Sequence, residues 1–340
     1  MTAALDDLLG RPVSLRGLAV LRVLAGAVVL LHLAPFLSDS LDGQTYRDAF
    51  HEPYASWYPE LPETAYIGLL WLAAIAAVAM SLGVATRLAT ATTFALVAYN
   101  LFLSTTHFHN NRAYLVIVLG LLAVAPSDRE TGPAWPLWML RFECAAIYGA
   151  SGLSKLLDPD WFGGTVTWQR VVRAREDLEA WPLPDWAVSV LTDRGFHTGA
   201  AKAIVLTELF IAAGLWWPRT RYAAVWVAVA FHLGIETSAS VQVFSLLGIA
   251  VLVVWAVPST RDRVIRIDRR WASMVRALDW LARFRVEPAP PEAPVEVVER
   301  DGTTLRGAPA VAFTLSRLPP TAWFALPTLL LPGVRRARAR

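Results

Sequence analysis

Of the 31 basic residues in this 340-residue chain, only Lys155 and Lys202 are lysine. Where arginine is so strongly preferred, a lysine marks a place where not every cation serves. Arginine stays protonated, whereas a desolvated lysine can lose its proton near neutral pH and act as a base. Lys155 lies at the end of an apolar run, within the segment Ser151-Gly152-Leu153-Ser154-Lys155-Leu156-Leu157-Asp158-Pro159-Asp160-Trp161. An interfacial lysine snorkelling to headgroups would occupy the same place. On a helix of 100° per residue, Tyr148 and Cys144 fall within about 20° of Lys155 and Arg141 within about 40°. Lipid would reject such a stripe, so it should face a bundle interior.

A second polar constellation is Thr105-Thr106-His107-Phe108-His109-Asn110-Asn111-Arg112-Ala113-Tyr114-Leu115. Its amides and imidazoles could organise a pocket or cap a helix, but two histidines alone make no metal site. Further ionisable groups inside apolar runs are Arg22, His32, Arg141, Glu143, Glu208 and His232. Intramembrane groups of this kind are functional candidates or helix-bridging contacts. Glu208 reads as a bridge between helices or a protonated carboxyl, and His232 as a packing histidine or a pocket wall.

The surrounding chain is apolar: 55% hydrophobic and 17% charged residues, with a mean hydropathy of +0.43. Soluble domains carry about 25% charged residues, so a purely soluble protein is excluded. The single cysteine, Cys144, excludes disulfide frameworks, CxxC redox centres and thiolate zinc sites. A net charge of +3, with arginine concentrated in short turns and the tail, gives no nucleic-acid footprint. Apolar runs occur at roughly 17–37, 66–84, 88–104, 113–126, 136–156, 201–217, 222–237 and 241–257, predicting about eight membrane-crossing helices. Arg11, Arg16, Arg87, Arg129, Arg219, Arg221 and Arg261 fall on one side. The loop 38–65, with Arg47 against six acids, and the loop 158–200 fall on the other. By the positive-inside rule both ends of residues 1–340 are cytoplasmic and the long loops face outward. The first run contains Arg22 and His32 and reads as a retained helix rather than a cleaved signal.

Residues 259–340 form a separate cytoplasmic α+β tail in this reading. Val264, Ile267, Trp271, Val275, Leu278 and Leu281 are spaced as on an amphipathic surface helix over 258–285. Pro288 to Pro294 follow as a linker, Asp301-Gly302 marks a hairpin, and a helix is expected near 308–317. The stretch "VERDGTTLRGAPAVAFTLSRLPPTAWFALPTLLLPGVR" (298–335) resembles the C-terminal half of the DCC-type thiol-disulfide oxidoreductase-like family, whose cysteine motif is absent here.

Residues 12–258 resemble the HTTM family, the transmembrane half shared with vitamin K-dependent γ-carboxylase. The resemblance is carried by "HNNRAYL" (109–115), "YGASGLSKLLDPDWFGG" (148–164) and "FHLGIE" (231–236). It implies an all-α polytopic membrane enzyme that uses reduced vitamin K or menaquinone, with O₂ and CO₂ as co-substrates. The catalytic base would be Lys155. His109, Asn110, Asn111, Tyr148, Asp160, Trp161 and His232 would line the quinone pocket, and no metal is expected. Arg112 stands where the family pattern has histidine, and the resemblance does not extend to the carboxylase's β-rich lumenal domain. A bacterial plasma-membrane protein modifying a small exported peptide is one expectation. The other is a non-catalytic membrane protein that assists maturation or export of a partner peptide.

Overall fold

The computed structural model describes residues 2–43, 52–173, 182–238, 243–258, 263–281 and 283–325. Arg47, Arg261, residues 259–262 and 282 of the amphipathic reading over 258–285, and residues 326–335 of the stretch 298–335 lie outside them. The chain is mostly helical and forms two compact units, residues 1–138 with 253–340, and residues 139–252.

The first unit begins with α1 (Thr2–Gly10), β1 (Pro12–Ser14), α2 (Arg16–Leu41), α3 (Glu63–Leu82), α4 (Thr86–Phe102) and α5 (Asn110–Val124), then β2 (Thr131–Pro133). α2 packs on α3, α3 on α4 and α4 on α5, as short connections between sequential helices dictate. On α3 the apolar side chains Leu72, Ile75, Val78 and Leu82 remain exposed. An apolar surface of this extent requires lipid or a partner. α2 and α3 are long and apolar enough to cross a membrane.

Residues grouped by charge also group in space. β1 pairs antiparallel with β2, joining the segment before α2 to the segment after α5, and Arg87 pairs with Asp128 at 3.2 Å. These are segments that the arginine distribution assigned to one side. Between other segments of this unit, Thr105 donates its backbone N–H to the Glu52 carbonyl at 2.7 Å and its hydroxyl to Glu52 Oε2 at 2.9 Å.

Gly26 lets α2 and α3 touch. A Cβ there would lie 2.8 Å from the Ala77 carbonyl oxygen and overlap the Ser81 hydroxyl. Gly26→Ala is therefore expected to cost about 1–3 kcal/mol of stability, read as a lower unfolding temperature in detergent. Near the same helix pair, Arg22 is buried and donates through Nη1 to the Met80 carbonyl. Met80 lies in the last turn of α3, where the exposed carbonyls favour a cation.

The second unit contains α6 (Trp135–Leu157, which begins in the first unit), α7 (Pro159–Phe162), α8 (Thr165–Arg173), α9 (Asp185–Thr192), α10 (Arg194–Gly214), α11 (Arg221–Ser238) and α12 (Phe244–Val251). α10 is the third helix long and apolar enough to cross a membrane. The last apolar run is divided: α12 ends at Val251 and α13 (Val253–Ala256) follows in the first unit.

The tail corrects the expected surface helix. Residues 264–278 form strand β3 (Val264–Asp268) and then a shorter helix α14 (Arg269–Leu278), followed by β4 (Arg285–Ala289). The β-branched residues Val264, Ile265 and Ile267 suit a strand, and their apolar spacing fitted a helix only by coincidence. β3 pairs parallel with β4 and antiparallel with β5 (Glu296–Val298), which pairs antiparallel with β6 (Thr304–Arg306). The strand order is β4-β3-β5-β6. Pro288 belongs to β4 rather than to a linker, on an edge strand where its missing N–H is tolerated. The hairpin at Asp301-Gly302 is present, with Gly302 at φ +84°. α15 (Ala308–Leu315) and α16 (Pro319–Ala325) complete the tail. Ile265, Ile267, Val275, Phe284, Val297, Leu305 and Phe313 belong to its core. On the sheet's polar face, Arg266 and Arg306 hold the Glu296 carboxyl below its usual value of 4.5.

Candidate functional site

The Lys155 stripe turns inward as its spacing requires. Cys144 and Tyr148 are buried, and Lys155 is half-buried at the end of α6. Gly152 lets α10 approach this stripe: a Cβ there would meet Leu209 at 3.1 Å and Glu208 Cβ at 3.2 Å, whereas one at Gly149 would make only ordinary contact with Ala212 Cβ at 3.7 Å. Small residues at such crossings are how helices pack closely in lipid.

That close crossing brings Glu208 to Lys155. Lys155 Nζ donates to Glu208 Oε1 at 2.6 Å and to Ser151 Oγ at 2.8 Å, while the Ser151 hydroxyl donates to the same Oε1 at 2.9 Å. The Glu208 side chain is 5% exposed and that of Lys155 is 18% exposed. Oε1 therefore has two donors, whereas Oε2 is buried with no hydrogen-bond partner among the described residues. An unpaired buried acceptor costs roughly 1–3 kcal/mol, and a hydroxyl-bearing ligand would satisfy it.

The loop after α6 covers the lysine. Asp158 caps α7, accepting the backbone N–H groups of Asp160 at 2.9 Å and Trp161 at 3.3 Å. This places the Trp161 ring 5.1 Å from Lys155 Nζ, with the Arg170 guanidinium 5.4 Å from the same ring. Lys202, the other lysine, sits 5.5 Å from the neighbouring Phe162 ring. Gly164, at φ +82°, packs against the His197 backbone, and Thr198 Oγ1 donates to the Gly163 carbonyl at 2.9 Å, tying this turn to α10.

In the same unit, the Tyr148 hydroxyl and His232 Nε2 are 2.6 Å apart, joining α6 to α11. His232 is 1% exposed, and its Nδ1 has no partner among the described residues. A Cβ on Gly248 would overlap the imidazole. Gly248→Ala is thus expected to displace His232, break its bond to Tyr148 and cost about 1–3 kcal/mol. A changed His232 ring resonance together with a lowered melting temperature would register both effects.

Lys155, Tyr148, Trp161 and His232 belong to one unit, but Asp160 is exposed, and it is Asp158 that organises the turn. His109 and Asn110 are also exposed, in the other unit. His109 Nδ1 accepts the Asn111 backbone N–H at 3.2 Å, so the histidine caps α5. Asn111 is buried there. The first unit also has polar residues in its interior. His32 is buried and packs edge-on to Phe36 at 5.4 Å, Arg112 lies 4.9 Å from the Phe36 ring, and Tyr66 donates to Asn100 Oδ1 at 2.5 Å. Tyr66, Asn100 and Ser151 were not singled out from sequence. Ser151 could have been, because it lies one turn before Lys155. No cluster of metal-binding side chains occurs among the described residues.

No curated protein and no solved structure matches the chain. The family model described as the HTTM domain matches residues 10–259, well over half of the chain. The match covers every helix from α2 to α13 and all of the Lys155 site, and the chain belongs to the HTTM family of membrane proteins.

Proposed function

We propose that this chain is a quinone-dependent, γ-carboxylase-like membrane enzyme that modifies a small exported peptide, with Lys155 as general base. The observation that carries this reading is the Lys155–Glu208–Ser151 triad, whose carboxylate is buried with an unpartnered Oε2. A site holding an amine, a free carboxylate oxygen and an aromatic wall at Trp161 fits a hydroxyl-bearing aromatic such as reduced vitamin K or menaquinone. With O₂, the reduced quinone would supply the strong base needed to form a carbanion that captures CO₂, in carbon–carbon lyase or monooxygenase-like chemistry.

The chain's own residues handle the proton. Glu208 Oε1, at 2.6 Å, can take a proton from Lys155, leaving a neutral amine with a free lone pair. The amine then accepts the hydroxyl proton at Nζ, and the resulting ammonium steadies the oxyanion left behind. Ser151 keeps the carboxylate oriented, and Trp161 keeps water from the amine. Tyr148 and His232 form the inner wall.

In this reading about eight helices cross a bacterial plasma membrane, both ends of residues 1–340 are cytoplasmic, and the site opens outward. The tail is a DCC-like docking module without redox cysteines, a view supported by its parallel β-α-β unit followed by an antiparallel hairpin. A second reading, a non-catalytic protein assisting maturation of a partner peptide, draws on the exposure of His109, Asn110 and Asp160. The two separate on O₂-dependent oxidation of a hydroquinone by the purified protein in nanodiscs. The enzyme turns over and Lys155→Arg does not, whereas the assisting protein shows neither turnover nor quinone binding.

A further inference from the structure

The tail's charge is unevenly placed. Residues 263–285 carry seven arginines, at 263, 266, 269, 270, 276, 283 and 285, and two acids, Asp268 and Asp279, both turned inward; Arg263, Arg266 and Arg285 pair with Glu299, Glu296 and Glu287 elsewhere in the tail. Asp268 is buried, caps α14 and pairs with Arg270 at 2.7 Å. Asp279 is buried and accepts the backbone N–H groups of Arg283 and Phe284 at 2.8 and 2.9 Å. Ala272 and Val275 occupy the tail's own core, so the outer surface of α14 presents Arg269, Arg270, Ser273 and Arg276 and no carboxylate. Arg269 and Arg276 have no carboxylate partner among the described residues.

Large apolar side chains share this surface. Trp271 is 52% exposed, Met274 42% and Trp280 59%. Trp271 and Met274 are three residues apart and form one ridge, with Arg270 beside Met274. A solvated surface gives no reason to expose two tryptophans and a methionine beside arginines. The boundary between lipid headgroups and acyl chains rewards that combination.

The tether sets the distance. α13 ends at Ala256 and β3 starts at Val264. Eight residues span at most about 28 Å, so the tail cannot leave the neighbourhood of the bilayer that holds the preceding helices. We infer that the Trp271–Met274 ridge, with the exposed Trp280 beyond the helix end and the exposed arginines of α14, docks the tail onto the anionic phospholipid surface of the surrounding bilayer. Of the residues grouped by apolar spacing, Ile267 and Val275 are used inside the tail and Trp271 is left on its surface. The inference does not depend on quinone chemistry.

The test uses the full chain in nanodiscs, with Met274→Cys carrying an environment-sensitive fluorophore and Cys144 left buried and unlabelled. Thr304→Cys, exposed on β6, is the solvent control. The expected result is a blue-shifted emission at position 274 in discs containing phosphatidylserine or phosphatidylglycerol, quenched by nitroxide-bearing lipid. The shift should fall back in phosphatidylcholine discs, at ~0.5 M salt where screening shortens to a few Å, and in Arg269→Glu/Arg276→Glu. Emission matching the Thr304→Cys control in every lipid would overturn the proposal. So would a blue shift that lipid nitroxides do not quench, since protein would then cover the ridge. Slowed amide exchange of α14 on adding anionic lipid to the unlabelled chain is the second measurement, and unchanged exchange contradicts docking even if the label disturbs the helix.

Discussion

Replacing Lys155 with arginine is expected to reduce hydroquinone oxidation by about 10²–10⁴-fold, the usual worth of a general base, while leaving the fold intact. Arginine can keep a cation beside Glu208 and donate to Ser151, so the pairing that joins α6 to α10 survives. It cannot become neutral and accept a proton. Thermal unfolding and turnover measured on the same nanodisc preparation separate the two effects. A small loss of turnover would show that any cation serves at position 155, as expected if the lysine only snorkels or holds helices together.

Glu208→Gln should behave differently. The amide can still accept from Ser151 and Lys155 but cannot take the lysine's proton, so turnover at neutral pH falls by about 10-fold or more. Stability provides a second contrast. Removing one member of a buried ion pair costs roughly 3–5 kcal/mol, whereas replacing both with apolar groups of similar volume is often near neutral. Lys155→Met/Glu208→Leu should therefore fold about as well as wild type and lack turnover. A pair of purely structural importance would give a destabilised double variant or one with undiminished turnover. Turnover of the glutamine variant and a melting curve of the double variant decide these points.

Much of the helical architecture was legible because lipid-facing helices must be apolar along their length. The runs at 17–37 and 66–84 correspond to α2 (Arg16–Leu41) and α3 (Glu63–Leu82), and Arg11, Arg87 and Arg129 marked segments that the structure brings to one end. The tail was misread where short-range spacing is ambiguous: Val264, Ile267, Trp271 and Val275 fit a helical stripe, but the first two pair with neighbouring strands. Within the site, the stripe of Cys144, Tyr148 and Lys155 followed from helical geometry alone. Its partners did not. Glu208 lies 53 residues from Lys155 and His232 lies 84 from Tyr148, and only the close crossing at Gly152 and the space at Gly248 bring them within bonding distance. His109 was assigned to a pocket by motif resemblance, whereas its local sequence, just before a helix start, was equally that of a cap.

The most direct test of the central claim is O₂-dependent oxidation of vitamin K or menaquinone hydroquinone by the wild-type protein in nanodiscs, followed as epoxide formed, with Lys155→Arg run beside it. The account predicts epoxide from wild type and none above background from the folded variant. Absence of both turnover and quinone binding in the wild-type protein would contradict it.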